Sequence, residues 1–105
     1  MRESKFERDL IKEIELLFPG CVIIKNDANL LQGFCDRLIL YGPKWAALEV
    51  KVSEGADRQP NQEYYVGLLD SMSYASFVYP ENKEQVLDEL QHALRPGRST
   101  RISFR

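Results

Sequence analysis

Three charged residues near the middle of the chain could carry out chemistry together: Asp36, Glu49 and Lys51. Glu49 and Lys51 are two positions apart in a predicted strand, so their side chains point to the same face. The rest of that strand is nearly all apolar. Charges in such surroundings cost free energy unless they are paired or bind a metal. Asp36, on the preceding predicted strand, is the natural partner, and the three residues suggest a divalent-metal site for phosphodiester hydrolysis.

Each of these residues has a chemical role in such a site. Asp36 and Glu49 can share one Mg²⁺ or Mn²⁺, and the backbone carbonyl of Val50 could add a ligand. Lys51 could orient or deprotonate the attacking water, or stabilise negative charge in the transition state. The alternative is a structural ion pair between Lys51 and one of the two carboxylates.

A fourth candidate, Glu7, lies on the apolar side of a predicted amphipathic helix over residues 4–18. A carboxylate in that position is unusual. Either Glu7 extends to the metal site, or it closes a capping box with Ser4 at the start of the helix.

A fifth candidate, Gln62, lies in the first turn of the predicted second helix, on its inward side. Its carboxamide could hold a metal-bound water, a phosphate or Lys51. The alternative is that it hydrogen-bonds only to local backbone at the helix start. Gln59 is a weaker competitor for the same role.

The elements that must position these residues alternate in type along the chain. Apolar periodicity and turn residues predict helices over residues 4–18, 61–72 and 81–94. They predict strands over residues 21–25, 33–41, 45–52 and 73–79, with a short last strand over 100–104. This order predicts one α/β (α+β) domain over residues 1–105, with a mixed sheet flanked by helices.

Composition narrows the class of protein. The 105 residues carry a net charge of −2, and no apolar run approaches the roughly 20 residues that span a bilayer. The N-terminus does not resemble a signal peptide, so we expect a cytoplasmic protein without membrane association. Cys21 and Cys35 are expected to be buried apolar thiols and not a disulfide or a ligand pair. The basic C-terminal segment could follow a phosphate backbone or be a solvated arm; its arginines are Arg95, Arg98, Arg101 and Arg105.

The chain resembles the PD-(D/E)xK nuclease superfamily in the order αβββαβ and in Asp36 followed by Glu49-Val50-Lys51. Cys35 stands where the family signature has a proline. Residues 6–11 are similar to the first-helix motif of archaeal Holliday-junction resolvases. Residues 33–40 and 60–62 are similar to the VRR-NUC branch, although the Val-Arg-Arg triplet of that branch is missing. The resemblance covers residues 4–80, and residues 81–105 form a C-terminal helix and basic tail.

The resemblance implies a restriction-endonuclease-like core and a Mg²⁺- or Mn²⁺-dependent endonuclease acting on DNA, selective for branched or junction structures and homodimeric, as in phage or bacterial nucleases. It implies that Asp36, Glu49 and Glu7 belong to the metal site, that Lys51 is catalytic and that Gln62 is a positioning residue. One alternative is a catalytically inactive module of the same fold that binds nucleic acid or a protein. A restriction-type or tRNA-processing hydrolase is another.

Overall fold

The computed structural model describes residues 3–27 and 31–95, which form a mixed α+β fold of a four-stranded sheet and three helices. The helices are α1 (Glu3–Leu17), α2 (Pro60–Met72) and α3 (Lys83–Leu94). The strands are β1 (Val22–Lys25), β2 (Arg37–Tyr41), β3 (Lys44–Val50) and β4 (Tyr74–Val78). The predicted class and order of these elements are confirmed.

The sheet has the strand order β1-β2-β3-β4. β1 pairs antiparallel with β2, and β2 with β3, as expected for strands joined by short connections. The turn between β2 and β3 contains Gly42 at φ 60°. β4 pairs parallel with β3, and α2 forms the crossover between them.

Helices cover both faces of the sheet. On one face α1 and α3 pack over β2 and β3, and the core includes Leu10, Ile14, Ile39, Leu48 and Leu90. On the other face α2 packs over β3 and β4; this smaller core includes Cys35, Ala47, Leu69 and Ala75. Because β3 is buried on both faces, its sequence is almost continuously apolar and does not alternate.

Several element boundaries differ from the predicted ones. β2 begins at Arg37 and not at residue 33, because Gly33 adopts φ +86°, which does not fit an extended strand. β3 ends at Val50, although the Lys51 N–H still donates to the Val78 carbonyl at 2.8 Å. Asp36 and Lys51 therefore lie one residue outside their strands.

The other boundaries shift by one or two residues. A 3₁₀ turn, Pro80–Asn82, precedes α3, so this helix starts at Lys83. The predicted strand over residues 100–104 lies outside the described residues, as does most of the basic tail. Both cysteines are free thiols; Cys35 is buried as expected, whereas Cys21 is only partly buried. Within residues 3–27 and 31–95, no helix has the length and apolar character needed to cross a bilayer.

Candidate active site

Asp36 and Glu49 lie opposite each other where β2 and β3 meet the loops. Arg37 pairs in register with Leu48, so one further step along the antiparallel ladder sets Asp36 against Glu49. The Val50 N–H donates to Asp36 Oδ2 at 2.9 Å, which fastens the Asp36 side chain to the end of β3. Directly opposed residues share a face, so the two carboxylates lie on the face of the sheet that α2 covers.

Gln62 links Glu49 to Lys51 through two hydrogen bonds. Its Nε2 donates to Glu49 Oε2 at 2.8 Å, and its Oε1 accepts from Lys51 Nζ at 2.9 Å. A carboxamide donates through nitrogen and accepts through oxygen, so this orientation satisfies both neighbours. Oε1 also accepts from the backbone N–H of Gln59 at 3.0 Å, the helix-start role considered for Gln62. Gln62 therefore combines local capping with a bridge between Glu49 and Lys51.

Burial sets the electrostatics of the acids. Glu49 is only 3% exposed. Desolvation raises the pKa of Asp36, the hydrogen bond from Val50 opposes this, and the charge of Glu7 raises the pKa further. Burial, with the charges of Glu49 and Asp36, raises the pKa of the Cys35 thiol to about 12. Cys35 is therefore a protonated, inert thiol, whereas Asp36 lies where a cation would favour its ionised form.

Glu7 faces inward, at 8% exposure, but its partner is an arginine. Arg37 Nε donates to Glu7 Oε2 at 2.6 Å, and Lys25 Nζ lies 3.9 Å from Glu7 Oε1. Because α1 begins at Glu3, Ser4 is not in the N-cap position that the capping-box alternative requires. Arg37 alternates to the face that α1 covers, so Glu7 and the pair Asp36–Glu49 approach the same end of the sheet from different faces.

The donor chemistry of the site fits a hard divalent cation. Asp36, Glu49 and backbone carbonyls offer oxygen ligands, and Mg²⁺ commonly takes only one or two carboxylates with waters and phosphate completing its shell. The N–H and C=O of a strand residue point to the same side, so the Val50 carbonyl faces the strand edge that meets Asp36. Among the described residues, no group of three or more Asp, Glu, His or Cys side chains is arranged to hold a metal. Asp36 and Glu49 are thus the two carboxylates available as ligands at this end of the sheet, while Arg37 holds Glu7 on the other face.

Two arginines near the acids were missed by the sequence interpretation. Arg37 is the partner of Glu7, and its signal was its position directly after Asp36. Arg58 lies in the loop before α2, with its guanidinium carbon 3.9 Å from the ring centroid of Phe77. Phe77 is the register partner of Glu49, so Arg58 lies over the face of the sheet that carries Glu49. Nothing in the local sequence of Arg58 distinguishes it from a solvated loop residue.

The loop before β2 is fastened to the start of α2. A Cβ on Gly33 would lie 2.3 Å from the Cβ of Asn61, so only glycine permits this approach. Phe34 packs edge-to-face on Tyr65, with ring centroids 5.5 Å apart. A cavity of about 380 Å³ opens beside Gln62, and it is lined by Gln32, Gly33, Gln59, Pro60, Asn61 and Gln62. These contacts couple the position of Asp36 to that of Gln62.

Comparisons of this chain with protein-family models, with curated proteins and with solved structures gave no match.

Proposed function

We propose that this protein is a metal-dependent endonuclease that hydrolyses DNA phosphodiester bonds. The observation that carries the proposal is the convergence of Asp36, Glu49, Lys51 and Gln62 at one end of the sheet, with Gln62 hydrogen-bonded to both Glu49 and Lys51. A buried carboxylate linked through a carboxamide to an amine costs free energy, and this cost is understandable if the group binds a cation and an anionic substrate.

In this mechanism each side chain has one task. Asp36 and Glu49 would hold Mg²⁺ or Mn²⁺, which would polarise the phosphoryl group and lower the pKa of a bound water. Lys51 faces the developing negative charge or the attacking water, and Gln62 keeps its ammonium in place. Arg58 supplies a second positive charge on the face of the sheet that carries Glu49. Glu7 acts through Arg37 and through its field on Asp36.

The PD-(D/E)xK superfamily is the class proposed for this chain, with the restriction-endonuclease-like core that its signature implies. The element order α1-β1-β2-β3-α2-β4 supports this. We extend the proposal to branched or junction DNA and to a homodimer, because two copies related by symmetry would present two sites to a branched duplex. Light scattering with and without DNA measures the assembly; a monomer under both conditions would exclude the dimer.

Cleavage assays test the function directly. The protein is incubated with supercoiled, linear and four-way-junction DNA in Mg²⁺ or Mn²⁺. We expect cleavage that falls at least about 100-fold in Asp36→Asn and Glu49→Gln, equivalent to about 2.7 kcal/mol of transition-state stabilisation. Faster cleavage of the junction than of linear DNA supports the structure-selective part.

Lys51→Met and Lys44→Met form a matched pair in this assay. Both remove one ammonium, but Lys44 lies at the opposite end of β3. Lys51→Met should lose activity and Lys44→Met should keep it. Absence of cleavage of every substrate, or equal cleavage by Asp36→Asn and wild type, would refute the endonuclease.

One observation favours the second candidate, a binding module without catalysis. Glu7, which the family resemblance assigns to the metal site, is neutralised by Arg37 at 2.6 Å. DNA binding without cleavage in either metal, unchanged by Asp36→Asn, would support this alternative.

A further inference from the structure

A basic groove runs beside the candidate site, between α1 and the ends of β1 and β2. Its volume is about 460 Å³. We use "basic groove" for its lining residues, which are Glu7, Arg8, Ile11, Lys12, Glu15, Lys25 and Arg37. Four bases and two acids give the lining a formal charge of +2, whereas the whole chain carries −2.

The positive charge of the basic groove faces outward. Arg8, Lys12 and Lys25 are exposed, while Glu7, at 8% exposure, is bound to Arg37 beneath them. An anion entering the groove would meet three exposed cations and one exposed acid, Glu15, at the rim, and an acid already neutralised at the base. Half-buried Ile11 lies between the bases on α1 and leaves room for their apolar stems.

The opposite side of α1 has the reverse polarity. A second cavity, between α1 and α3, is lined by Glu13, Glu84 and Asp88 together with apolar and amide side chains. Lys83 is occupied there by Glu13 at 2.8 Å and Glu84 at 3.4 Å. A polyanion would therefore be attracted to one side of α1 and repelled from the other.

The basic groove, on the face that α1 covers, reaches the same end of the sheet as Asp36 and Glu49, which lie on the face that α2 covers. Lys25 and Arg37 are register partners, and the next step of the ladder is the hydrogen bond from the Asn26 N–H to the Asp36 carbonyl at 2.8 Å. The row Glu7, Ile11 and Glu15 extends the groove by about 12 Å along α1. Along duplex DNA this length corresponds to about three or four phosphates of one strand.

We infer that the basic groove binds the phosphate backbone of one DNA strand, a few nucleotides away from the phosphate that lies at Asp36 and Glu49. This role deepens the proposed endonuclease function and rests on it. The groove holds the strand by charge without reading bases, and it fixes the direction in which the strand crosses the acids.

Binding to a short fluorescent duplex, followed by anisotropy between about 50 and 200 mM KCl, tests the groove. The measurements use the Asp36→Asn background, so that the duplex stays intact. Lys12→Glu should weaken binding about tenfold at the low-salt end and reduce the slope of log K against log salt by about 1. Arg8→Glu should behave in the same way.

Lys44→Glu is the matched control, because it changes the net charge equally at the other end of the sheet. Its Nζ donates to the Arg95 carbonyl at 2.8 Å. Binding within about twofold of the parent is expected for it. With Asp36 restored, Lys12→Glu should raise KM for cleavage and leave kcat unchanged.

The outcomes separate the two proposals. Equal weakening by Lys12→Glu and Lys44→Glu would overturn the groove, since net charge alone would then explain the effect. Cleavage by wild type with no change of binding in Lys12→Glu would overturn the groove and leave the endonuclease standing. Neither binding nor cleavage of any DNA by wild type would overturn both.

Discussion

At the candidate site, burial and hydrogen bonds act on the acidic side chains in opposite directions. Burial favours the protonated form of Asp36, while the Val50 N–H favours the carboxylate. Glu49, at 3% exposure, accepts a hydrogen bond from Gln62, and Glu7 accepts one from Arg37. Each buried acid thus has a neutral or cationic donor from a different element. The same few hydrogen bonds therefore stabilise the buried acids and fix the geometry of the site.

Asp36→Asn should melt at or above the wild-type temperature at pH 7 without metal. The folded state raises the pKa of Asp36, so it retains a proton at pH values where the unfolded chain has released it. The contribution of Asp36 to stability therefore falls as pH rises through the interval between the ordinary and the raised pKa. Asparagine removes this loss of stability, and its side-chain oxygen can still accept the hydrogen bond from the Val50 N–H. Thermal melts from pH 4 to 7 should show the difference from wild type shrinking toward acid pH. A much lower melting temperature for the variant at pH 7 would make Asp36 mainly a structural partner.

Arg37→Met should destabilise the fold by about 2 kcal/mol in urea unfolding, because it leaves the Glu7 carboxylate nearly buried without its closest donor. The partial exposure of Arg37 keeps this below the loss for a fully buried pair. The double variant Glu7→Gln with Arg37→Met should recover part of the stability that Arg37→Met loses. Lys25→Met should change stability by less than about 0.5 kcal/mol, since its ammonium is exposed and 3.9 Å away. Equal losses for Arg37→Met and Lys25→Met would contradict the pairing.

The elements contribute by bringing distant segments to one end of the sheet. β3 carries Glu49 and leads into Lys51, while the loop before β2 carries Asp36. α2 starts against that loop, at Gly33 and Asn61, so its first turn places Gln62 over both. Sequence periodicity predicted each of these elements, but the contact between loop and helix joins residues 28 positions apart. Neither the Gly33 turn nor its fit to Asn61 could be read from periodicity.

Gly33→Ala should cost at least about 2 kcal/mol, since it adds both left-handed backbone strain and a clash with Asn61. Gly20→Ala is a matched control, because Gly20 has φ +89° and nothing within 4 Å of its added Cβ. It should cost only about 1 kcal/mol. Urea unfolding measures both. Asn61→Gly in the Gly33→Ala background should remove the closest contact and recover part of the loss, although backbone atoms of residue 61 stay within 3.0–3.2 Å. Similar costs for both alanine variants would show that the close approach is unimportant.

At the scale of the whole molecule, charge is distributed unevenly around α1. The basic groove lies on one side and an acidic cavity on the other, although the net charge of −2 suggests neither. The candidate site adds buried acids at the end of the sheet beside the basic groove. A polyanion and a cation would therefore approach the same end of the molecule.

Mg²⁺ or Mn²⁺ should raise the melting temperature of the wild type. Binding only to the folded state at ten times the dissociation constant contributes about 1.4 kcal/mol, or several degrees for a domain of this size. Differential scanning fluorimetry at matched ionic strength measures the shift. Glu49→Gln should abolish it and Glu13→Gln should preserve it, because Glu13 lies in the acidic cavity beside α3. A shift of equal size in both variants would indicate nonspecific cation binding.

The sequence by itself determined the order of helices and strands, the mixed sheet and the residues worth following: Asp36, Glu49, Lys51, Gln62 and Glu7. Alternation and helical periodicity are local, so one chain suffices to predict them. Only the tertiary structure decided which partners these residues have. Glu7 binds Arg37, and Gln62 bridges Glu49 and Lys51, because packing α1 and α2 on opposite faces of the sheet brings these pairs within hydrogen-bonding distance. Such long-range contacts leave no periodic signal along the chain.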